Sequence, residues 1–383
     1  MRNQIRIAFT GGGTGGHIYP LLAVAEQVKI KLSQNPESDF QLYYFGNAGQ
    51  YASDFVGLKI KIVSIISFKI RRYLSPLNII DAVKLPLAFL QSFIKLLFVM
   101  PDAVFSKGGT GSIAVVVAAW FYRIPVFIHE SDSIPGLSTK FSVPFSKRIA
   151  VSFEKTLESI SGEKVALTGN PIRADLLEPA PDLTPEKAKK IFGFDPTLPL
   201  ILVIGGSQGS AKINEFMIEN VKEFVGKYQV LHQVGPQNFA QFKNELAVST
   251  EHFIPVERDR YKIVDFLQKE IREAYVAADI IVSRAGSGAI FEIAVFKKPS
   301  ILIPLDSAAG DHQKFNAYEY AGNGACVVIE ESNLKSSLFF DQVNLILSDK
   351  AKYQSMSQAA GTFAKPQAAE IIAQELINLA TGQ

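Results

Sequence analysis

The sequence predicts an α/β protein with two doubly wound domains, each built on a parallel sheet. Short apolar runs alternate with helical stretches along the chain, as expected for sheets covered by helices on both faces. The same opening of strand, glycine-rich turn and helix occurs near residue 5 and again near residue 200. A chain of 383 residues is long enough for two separate cores.

Composition narrows the possible functions. Hydrophobic residues make up 48% of the chain and charged residues 20%, as in a folded protein. The net charge of +2 is too near neutral to indicate a nucleic-acid partner. The single cysteine, Cys326, excludes an internal disulfide framework and fits a reducing compartment. The first residues run into an apolar strand without a charged-then-apolar leader, so we do not expect secretion.

Six strands are expected in the first half of the chain. They are Ile5–Phe9, Phe40–Phe45, Lys61–Ile66, Ala103–Ser106, Pro125–His129 and Arg148–Ser152. Ligands of such sheets gather at the carboxyl ends of the strands. Polar clusters follow three of these strands, at 11–16, 107–111 and 129–132, and we expect them to share one rim.

The first of these clusters holds five glycines within six residues and leads into a helical pattern. Glycines let the backbone approach a ligand, and the N–H groups of a helix start attract anions. A dinucleotide site fits Gly11 to Gly16 but requires an acidic residue after the second strand, where none stands. A P-loop requires Lys and then Ser or Thr where His17 and Ile18 stand. Both interpretations fail. A glycine turn that serves only the packing of the fold is the alternative that stays open.

The segment from Phe68 to Met100 is apolar but punctuated by basic residues: Lys69, Arg71, Arg72, Lys84 and Lys95. Its uninterrupted apolar runs are far shorter than the roughly 20 residues that span a bilayer. A basic amphipathic segment docked on an anionic membrane surface is one interpretation. An ordinary crossover helix packed on the sheet is the other. Both stay open, because one helix can bury one face and present another.

A linker rich in proline and acidic residues, 178–185, follows the first half, so the domain boundary is expected near Pro171. We expect a first domain over 1–170, a second over 171–365, and a helix in 366–383 that packs back on the first. The second domain should contain the strands Leu200–Ile204, Tyr228–Val234, Asp279–Ser283, Ser300–Pro304 and Cys326–Ile329. The two glycine turns should face one another across a cleft.

Polar residues of the second half suit a sugar nucleotide. Glu292 lies about two turns into a helix that opens on glycines, where a carboxylate could accept two hydrogen bonds from a ribose or sugar diol. A merely solvated glutamate is the alternative. Gln313 and Asn316 share a helix face, and amides both donate to and accept from hydroxyls. Asp311 and His312 are a weak metal pair because sequence neighbours rarely face one ion, so we expect no metal site.

Together these motifs resemble the MurG-type transferases, bacterial enzymes that add N-acetylglucosamine to the lipid-linked muramyl-pentapeptide precursor of peptidoglycan. Six matching motifs stand in the family's order: Gly11–Pro20, His129–Gly136, Gly169–Arg173, Gly205–Gly209, Arg284–Glu292 and Asp311–Ala317. The resemblance implies a GT-B fold and an inverting transfer without metal or cofactor. It implies UDP-N-acetylglucosamine as donor, a lipid-linked muramyl-peptide acceptor, and a peripheral position on the cytoplasmic face of the cell membrane.

The resemblance also assigns donor-binding residues. It implies Arg173, Ser207 and Gln208 at the diphosphate and Leu267 near the uracil. It places Ser287, Gly288, Ala289, Ile290, Phe291 and Glu292 along the nucleotide, with Glu292 on the ribose. Gln313 and Asn316 would bind the donor sugar, while Thr14, Gly15 and Gly16 would approach the phosphates from the first domain. Asp132 would contact the donor sugar where the family usually has Asn, and a carboxylate accepts hydrogen bonds but cannot donate them.

On the acceptor side the resemblance implies His17, His129 and Glu130, together with Gly109 and Thr110 of a glycine turn that departs from the family pattern. His17 is the first candidate for general base because imidazole titrates near neutral pH. Glu130 or Asp132 is the alternative base, and a histidine that only bonds the neighbouring loop is the third interpretation. Rival functions are another GT-B transferase with a different lipid or small acceptor, and a non-catalytic sugar-nucleotide binder.

Overall fold

The structure is a computed structural model that describes residues 4–35, 39–66, 68, 77–178, 180–306 and 309–383, with 77–80 and 309 through their backbone only. The chain divides into two compact units. Unit 1 is Met1–Ala174 together with Lys365–Gln383, and unit 2 is Asp175–Ala364. Lys69, Arg71 and Arg72 of the predicted basic segment, and Pro179 of the predicted linker, lie outside the described residues.

Seven parallel strands form the sheet of unit 1 within the described ranges, in the order β3-β2-β1-β4-β5-β6-β7. Their bounds are β1 Gln4–Thr10, β2 Asp39–Phe45, β3 Lys61–Val63, β4 Ala103–Ser106, β5 Val126–Glu130, β6 Arg148–Val151 and β7 Val165–Leu167. The six predicted strands are confirmed, although β3 ends three residues early. β7 is missed because this edge strand is only three residues long and no residue of it is fully buried.

The second sheet, in unit 2, has six parallel strands among the described residues, in the order β10-β9-β8-β11-β12-β13. They are β8 Leu200–Ile204, β9 Gln229–Gln233, β10 Tyr261–Val264, β11 Ile280–Ser283, β12 Ser300–Leu302 and β13 Cys326–Val328. All five predicted strands are confirmed. The missed strand, β10, lies at the sheet edge, where its lysine interrupts the apolar run that sequence analysis relies on.

The helices connect these strands in chain order. Those before unit 2 are α1 Gly15–Ser33, α2 Ala52–Gly57, α3 Leu77–Val99, α4 Ser112–Phe121, α5 Leu137–Ser142 and α6 Thr156–Ser159. There follow α7 Ala174–Leu177, α8 Pro185–Ile191, α9 Ala211–Glu219, α10 Val221–Lys227, α11 Phe239–Ser249, α12 Pro255–Asp259, α13 Ile271–Ala277, α14 Ser287–Val295, α15 His312–Gly322, α16 Ser336–Ser348, α17 Lys350–Phe363 and α18 Ala368–Thr381. Both units are therefore sheets with helical crossovers, the predicted fold class.

Alternating side chains of β1 reach two different cores. Ile7 and Phe9 belong to one apolar cluster and Ala8 to another. The C-terminal helix α18 adds Ile372 and Leu376 to the first cluster, and burial of each stabilises the fold by roughly 1.5–3 kcal/mol. The sheet of unit 1 is thus covered on both faces, and its last helix completes one of them.

Helix α3 has a buried seam and an exposed apolar face. Ala88, Ser92 and Leu96, spaced four residues apart, are fully buried, and Ala88 and Leu96 belong to a core cluster of unit 1. The opposite face exposes large apolar side chains, with Phe98 82% exposed. By length and composition alone its Asp81–Val99 stretch is sufficient to cross a membrane, which corrects the expectation that the segment is too short. The buried seam accounts for the crossover-helix interpretation.

Candidate active site

Two glycine turns of unit 1 lie against one another at the carboxyl end of its sheet. β4 pairs with β1 on one side and β5 on the other, so the three polar clusters emerge side by side, as expected. A Cβ added at Gly109 would lie 2.8 Å from the Cα of Gly12, and the Gly109 φ of +87° also favours glycine. The Lys107 amide donates to the Thr10 carbonyl at 2.9 Å. The backbones interlock there, which leaves no room for a side chain.

His17 is held over the first glycine turn. It is the third residue of α1, and its Nδ1 lies 2.9 Å from the Oγ1 of Thr14. A Cβ added at Gly12 would come within 3.0 Å of the same nitrogen, so the half-buried ring leans over the turn. Thr14 occupies the helix N-cap, yet its side chain makes no capping bond. A histidine with a purely structural role would make this bond, and the bond also fixes the orientation of the ring.

Glu130 is fully engaged inside unit 1. It is buried, its Oε1 accepts from the Asp132 amide at 3.0 Å, and its Oε2 accepts from the Gly136 amide at 3.0 Å. Burial, and then the neighbouring Asp132, raise the pKa of this carboxyl above its usual range, while a hydrogen bond with Thr139 opposes the shift. Both oxygens of Glu130 therefore hold the loop that follows β5.

His129 faces the interior rather than an open site. It is 1% exposed, and its Nε2 lies 3.1 Å from the Gly169 carbonyl and 3.2 Å from the Ser152 Oγ. Because a carbonyl only accepts hydrogen bonds, Nε2 carries the proton and Nδ1 does not. Burial, with the nearby Lys107, lowers the pKa of this imidazole well below its usual range. His129 therefore connects β5 to the segments at 152 and 169 as a neutral group.

Lys107 is a buried ammonium that the sequence analysis placed in a polar cluster without a role. It is 2% exposed, and its Nζ has no hydrogen-bond partner among the described residues. Burial lowers the pKa of Lys107 to about 8, opposed by the charges of Glu130 and Asp132. Leaving a buried charge without hydrogen bonds is costly, so its presence beneath the glycine turns calls for an explanation.

The remaining predicted residues of the acceptor-side turns lie at the surface of the same rim. Thr110 Oγ1 donates to the Phe68 carbonyl at 2.8 Å, and the Gly109 amide donates to Ser138 Oγ at 3.2 Å. Asp132 is half-exposed, and its carbonyl accepts from Thr156 Oγ1 at 2.9 Å. These bonds fix the backbone of both loops and leave the Asp132 carboxylate at the edge of the rim.

The start of α1 and Arg173 meet at Tyr19. The Arg173 guanidinium lies over the Tyr19 ring, 5.3 Å from its centroid, in a cation–π contact. Gly15 is buried against the same helix turn, where an added Cβ would lie 3.2 Å from a ring carbon of Tyr19. Thr14 and Gly16 are exposed. Arg173 is thus positioned by α1 itself, beside the helix start that was predicted to approach phosphates.

The glycine turn of unit 2 follows β8 and is fixed by its neighbours. A Cβ added at Gly209 would lie 2.1 Å from the Val234 carbonyl oxygen, and the φ of Gly209 is +76°. Ser207 and Gln208, at the tip, are exposed. Ser210 caps α9 by accepting from the Ile213 amide at 3.3 Å. Such a turn, followed by a helix N-terminus, presents N–H groups to an anion.

Gln233 ties this turn to the predicted uracil site, a role that sequence analysis missed. Its amide donates to the Gly206 carbonyl at 3.0 Å, and its Oε1 accepts from the Leu267 amide at 2.9 Å. The Leu267 side chain is buried, so the backbone is the part of this residue that stands at the rim. A buried polar side chain at the carboxyl end of a strand was the available signal.

Helix α14 brings the other predicted nucleotide contacts to the same rim, since β11 adjoins β8. Its first residues are Ser287, Gly288 and Ala289, whose amides have no partner within the helix. Ile290 and Phe291 point into the core, so only their backbone borders the rim. Glu292 accepts a hydrogen bond from the Tyr275 hydroxyl at 2.8 Å, and this second missed residue orients the carboxylate.

The predicted sugar-binding amides differ in exposure. Gln313 is half-buried, and its Oε1 accepts from the Leu305 amide at 3.1 Å, which leaves its amide nitrogen as the part suited to a ligand hydroxyl. Asn316 is fully buried and donates to the Ala285 carbonyl at 3.3 Å. Asn316 therefore supports the turn before α14, while Gln313 lies nearer the surface.

Arg284 braces the strand ends beneath this rim. Its guanidinium donates to the Ile303 carbonyl at 3.1 Å and to Ser210 Oγ at 2.5 Å, and it forms an ion pair with Glu331. The buried charge is therefore paired, in contrast to that of Lys107. Among the residues that the structure describes, no group of three or more His, Cys, Asp or Glu side chains could hold a metal ion.

Two family models match the chain in the order of its units. The glycosyltransferase family 28 N-terminal domain matches residues 7–151, and the corresponding C-terminal domain matches residues 200–373. The chain is therefore a glycosyltransferase of family 28 with a GT-B fold.

Curated relatives define the family more closely. The UDP-N-acetylglucosamine–N-acetylmuramyl-(pentapeptide) pyrophosphoryl-undecaprenol N-acetylglucosamine transferase of Clostridium tetani is 33% identical over 91% of this chain and 91% of the relative. The transferase of the same name from Treponema denticola is 32% identical over 98% of each. The chain belongs to this transferase family.

Solved structures agree on the fold. Acinetobacter baumannii MurG superposes with a TM-score of 0.72 at 22% identity, covering 98% of this chain and 99% of that one. A UDP-GlcNAc 2-epimerase from Neisseria meningitidis, bound to UDP-GlcNAc, superposes with a TM-score of 0.66 at 13% identity, covering 98% of this chain and 100% of that one. At these identities the likeness concerns the fold alone.

Proposed function

We propose that this protein transfers N-acetylglucosamine from UDP-N-acetylglucosamine to the muramyl sugar of an undecaprenyl-pyrophosphoryl muramyl-pentapeptide, a step of peptidoglycan synthesis. Membership of the transferase family over more than nine-tenths of the chain carries this proposal. Two rims of different chemistry support it. One offers glycine turns and a carboxylate to a nucleotide, and the other offers an oriented imidazole to an acceptor hydroxyl.

The reaction is a single displacement with inversion at the anomeric carbon. The acceptor hydroxyl oxygen forms the new bond to this carbon, the bond from the carbon to the UDP oxygen breaks, and UDP leaves from the opposite face. His17 takes the hydroxyl proton as the bond forms. It is chosen over Glu130 because Glu130 is buried with both oxygens occupied, whereas His17 stands half-buried over the first glycine turn.

The leaving diphosphate gains negative charge as the bond breaks. The turn at Ser207 and Gln208 and the start of α9 are suited to stabilise that charge through backbone N–H groups, and Arg173 adds a cation. Glu292, oriented by Tyr275, would bind the ribose diol. Gln313 would donate to a hydroxyl of the transferred sugar, while Asn316 supports the turn behind it.

A lipid-linked acceptor requires access to a membrane, and unit 1 has a surface suited to one. We define the apolar patch as the exposed side chains Leu90, Ile94, Leu97, Phe98, Trp120, Phe121 and Phe141. Ring contacts connect its helices, with Phe93 and Phe121 centroids 5.1 Å apart and Trp120 and Phe145 centroids 5.2 Å apart. Exposed apolar area of this kind marks an interaction surface.

Basic residues border the apolar patch, which favours an anionic bilayer over a protein partner. Arg123 follows Phe121 closely and Lys140 precedes Phe141, and both are exposed. Each Lys or Arg near an anionic surface contributes about 1 kcal/mol to binding. The peripheral position on the cytoplasmic face of the cell membrane follows from this surface and from the lipid acceptor, and it belongs to the same proposal.

Vesicle binding tests this surface. Co-sedimentation with anionic phospholipid vesicles should fall by about tenfold or more in an L97S/F98S variant, since each buried apolar side chain contributes roughly 1.5–3 kcal/mol. V248S is the matched control because Val248 is 74% exposed but lies in unit 2. Unchanged binding of L97S/F98S would contradict the membrane role. Equal binding of the wild type to neutral vesicles would contradict the anionic preference.

Release of UDP tests the transfer itself. The purified protein should release UDP from UDP-N-acetylglucosamine when the lipid-linked muramyl-pentapeptide is present and release little without it. Turnover with a different lipid or small acceptor only would favour the rival transferase. Binding of UDP without any turnover would favour a sugar-nucleotide binder. A donor panel in the same assay tests Asp132, whose carboxylate cannot donate to a sugar hydroxyl as Asn can.

A further inference from the structure

The transfer mechanism leaves the buried ammonium of Lys107, in the unit 1 rim, without a role. Lys107 follows β4 directly, between Ser106 and the glycine turn that meets Gly12. The side chain packs beside Gly11, where an added Cβ would lie 3.4 Å from the Lys107 Cβ. Its Nζ is buried and makes no hydrogen bond with any described residue. Because this ammonium makes no hydrogen bond with the described residues, its effect on neighbouring groups is electrostatic.

The charged neighbours of Lys107 come from every element around it. Glu130 ends β5, Asp132 lies in the loop after it, and both attract the ammonium. His129, also on β5, is neutral, and Lys107 contributes to keeping it so. His17 of α1 lies on the other side of Gly11, where an added Cβ would be 3.9 Å from the His17 Cβ. The ammonium is thus electrostatically coupled to two carboxylates and to the His129 imidazole, while the His17 backbone position adjoins the same glycine turn.

Among these neighbours, Glu130 is the residue whose ionisation state a nearby charge can change. As a carboxylate it accepts from the amides of Asp132 and Gly136 and so spans the loop between them. If protonated, one of its oxygens becomes a hydroxyl and accepts more weakly. Ser138 lies in α5, directly after this loop, and its hydroxyl accepts from the Gly109 amide. A change at Glu130 therefore reaches both the loop and the second glycine turn.

We propose that Lys107 is a positioning residue for the transfer: its buried charge adds to the hydrogen bonds that favour the ionised form of Glu130, and ionised Glu130 holds the loop 131–136 and the glycine turn beside His17 in place. The proposal rests on the proposed transferase function but not on its particular acceptor. Lys107 itself touches neither substrate, since its ammonium is enclosed.

Removing the charge gives a directional test. In K107M the nearby cation is lost, so the pKa of Glu130 rises further, and the acidic limb of the pH profile of kcat/KM should move upward. Turnover at pH 6 should fall at least about threefold relative to the wild type, with recovery at pH 8. K243M is the control, because it removes one exposed lysine charge from unit 2. Its profile should match that of the wild type.

Amide hydrogen exchange measures the loop without substrate. The peptide 131–142 of K107M should exchange faster than that of the wild type at pH 6, and the two should converge as the pH rises. E130Q should show the fast exchange at every pH, and adding K107M to E130Q should change little. Because the charge pair is removed as a whole, the double variant should also be more stable than K107M.

Two outcomes would overturn the proposal. One is K107M with an unshifted acidic limb and unchanged exchange at 131–142. The other, if K107M does not fold, is a K107M/E130Q double variant that is no more stable. Failure of the proposed function is a separate result, since it would appear as a wild type without UDP release while the exchange data still test Lys107.

Discussion

Each unit has a glycine turn after the strand that opens it, β1 in unit 1 and β8 in unit 2. These two turns are stabilised in different ways. In unit 2 the turn is fixed by uncharged side chains and a paired cation: Ser210 caps the helix, Gln233 holds Gly206, and Arg284 is matched by Glu331. In unit 1 the turn rests directly on the backbone of Gly109, and Thr14 bonds His17 instead of capping α1. Unit 2 thus fixes the backbone of its turn through neighbouring side chains, whereas unit 1 uses its helix N-cap residue to fix the ring of a titratable histidine.

The largest expected effect comes from His17. Replacing it by Ala should lower kcat about 10²–10⁴-fold, the usual contribution of a general base, and leave the affinity for UDP nearly unchanged. Single-turnover UDP release and UDP titration measure the two quantities. T14V is the matched partner, because it removes only the bond that orients the ring, and its loss should be smaller. Full activity of H17A would remove His17 from the base role.

A substitution in the glycine turn of unit 2 should lower the affinity for UDP more than it lowers kcat. In G209A the new Cβ would lie 2.1 Å from the Val234 carbonyl at a positive φ, so the turn must move. We expect UDP affinity to fall by at least about tenfold, which corresponds to roughly 1.4 kcal/mol.

G226A is the control for that variant, because Gly226 lies within α10, has no positive φ and has no atom within 4 Å of an added Cβ. It should stabilise the fold by about 0.5–1 kcal/mol and leave UDP affinity unchanged. Isothermal titration and denaturant unfolding separate the two effects. A G209A variant with wild-type affinity would contradict the assignment of the diphosphate to this turn.

Most strands, and therefore the rim to which each polar cluster belongs, could be predicted from the sequence. Alternating apolar runs identified eleven of the described strands, and parallel sheets bring their carboxyl ends together. The two missed strands, β7 and β10, are edge strands with mostly half-buried residues, and their apolar runs are too short to be recognised. The hydrophobic pattern of a sequence reveals strands whose faces are buried, and it is a weak signal for the strands at the edge of a sheet.

The direction of individual side chains at the rims could not be predicted. His129 and Asn316 were expected to meet substrates, yet both are buried and support neighbouring carbonyls. Gln233 and Tyr275 were missed, although they hold the predicted residues Leu267 and Glu292. The direction of each side chain depends on which hydrogen-bond partner lies near it in the folded protein. A sequence pattern does not contain the distance between residues that are far apart in the chain. At both rims, only the three-dimensional position of the partners distinguishes a residue that supports the site from one that can bind a ligand.

The smallest expected effects separate Glu292 from the residue that orients it. E292Q should raise the KM for UDP-N-acetylglucosamine about tenfold with a smaller change in kcat, since a hydrogen bond to a charged group contributes about 1.5–3 kcal/mol. Y275F keeps the carboxylate and removes only one neutral donor at 2.8 Å, so its KM should rise about two- to fivefold. Steady-state kinetics with varied donor measure both. If unit 2 acts through binding alone, neither variant should alter the pH profile that K107M shifts. A pH shift in E292Q would show that titration is not confined to the rim of unit 1.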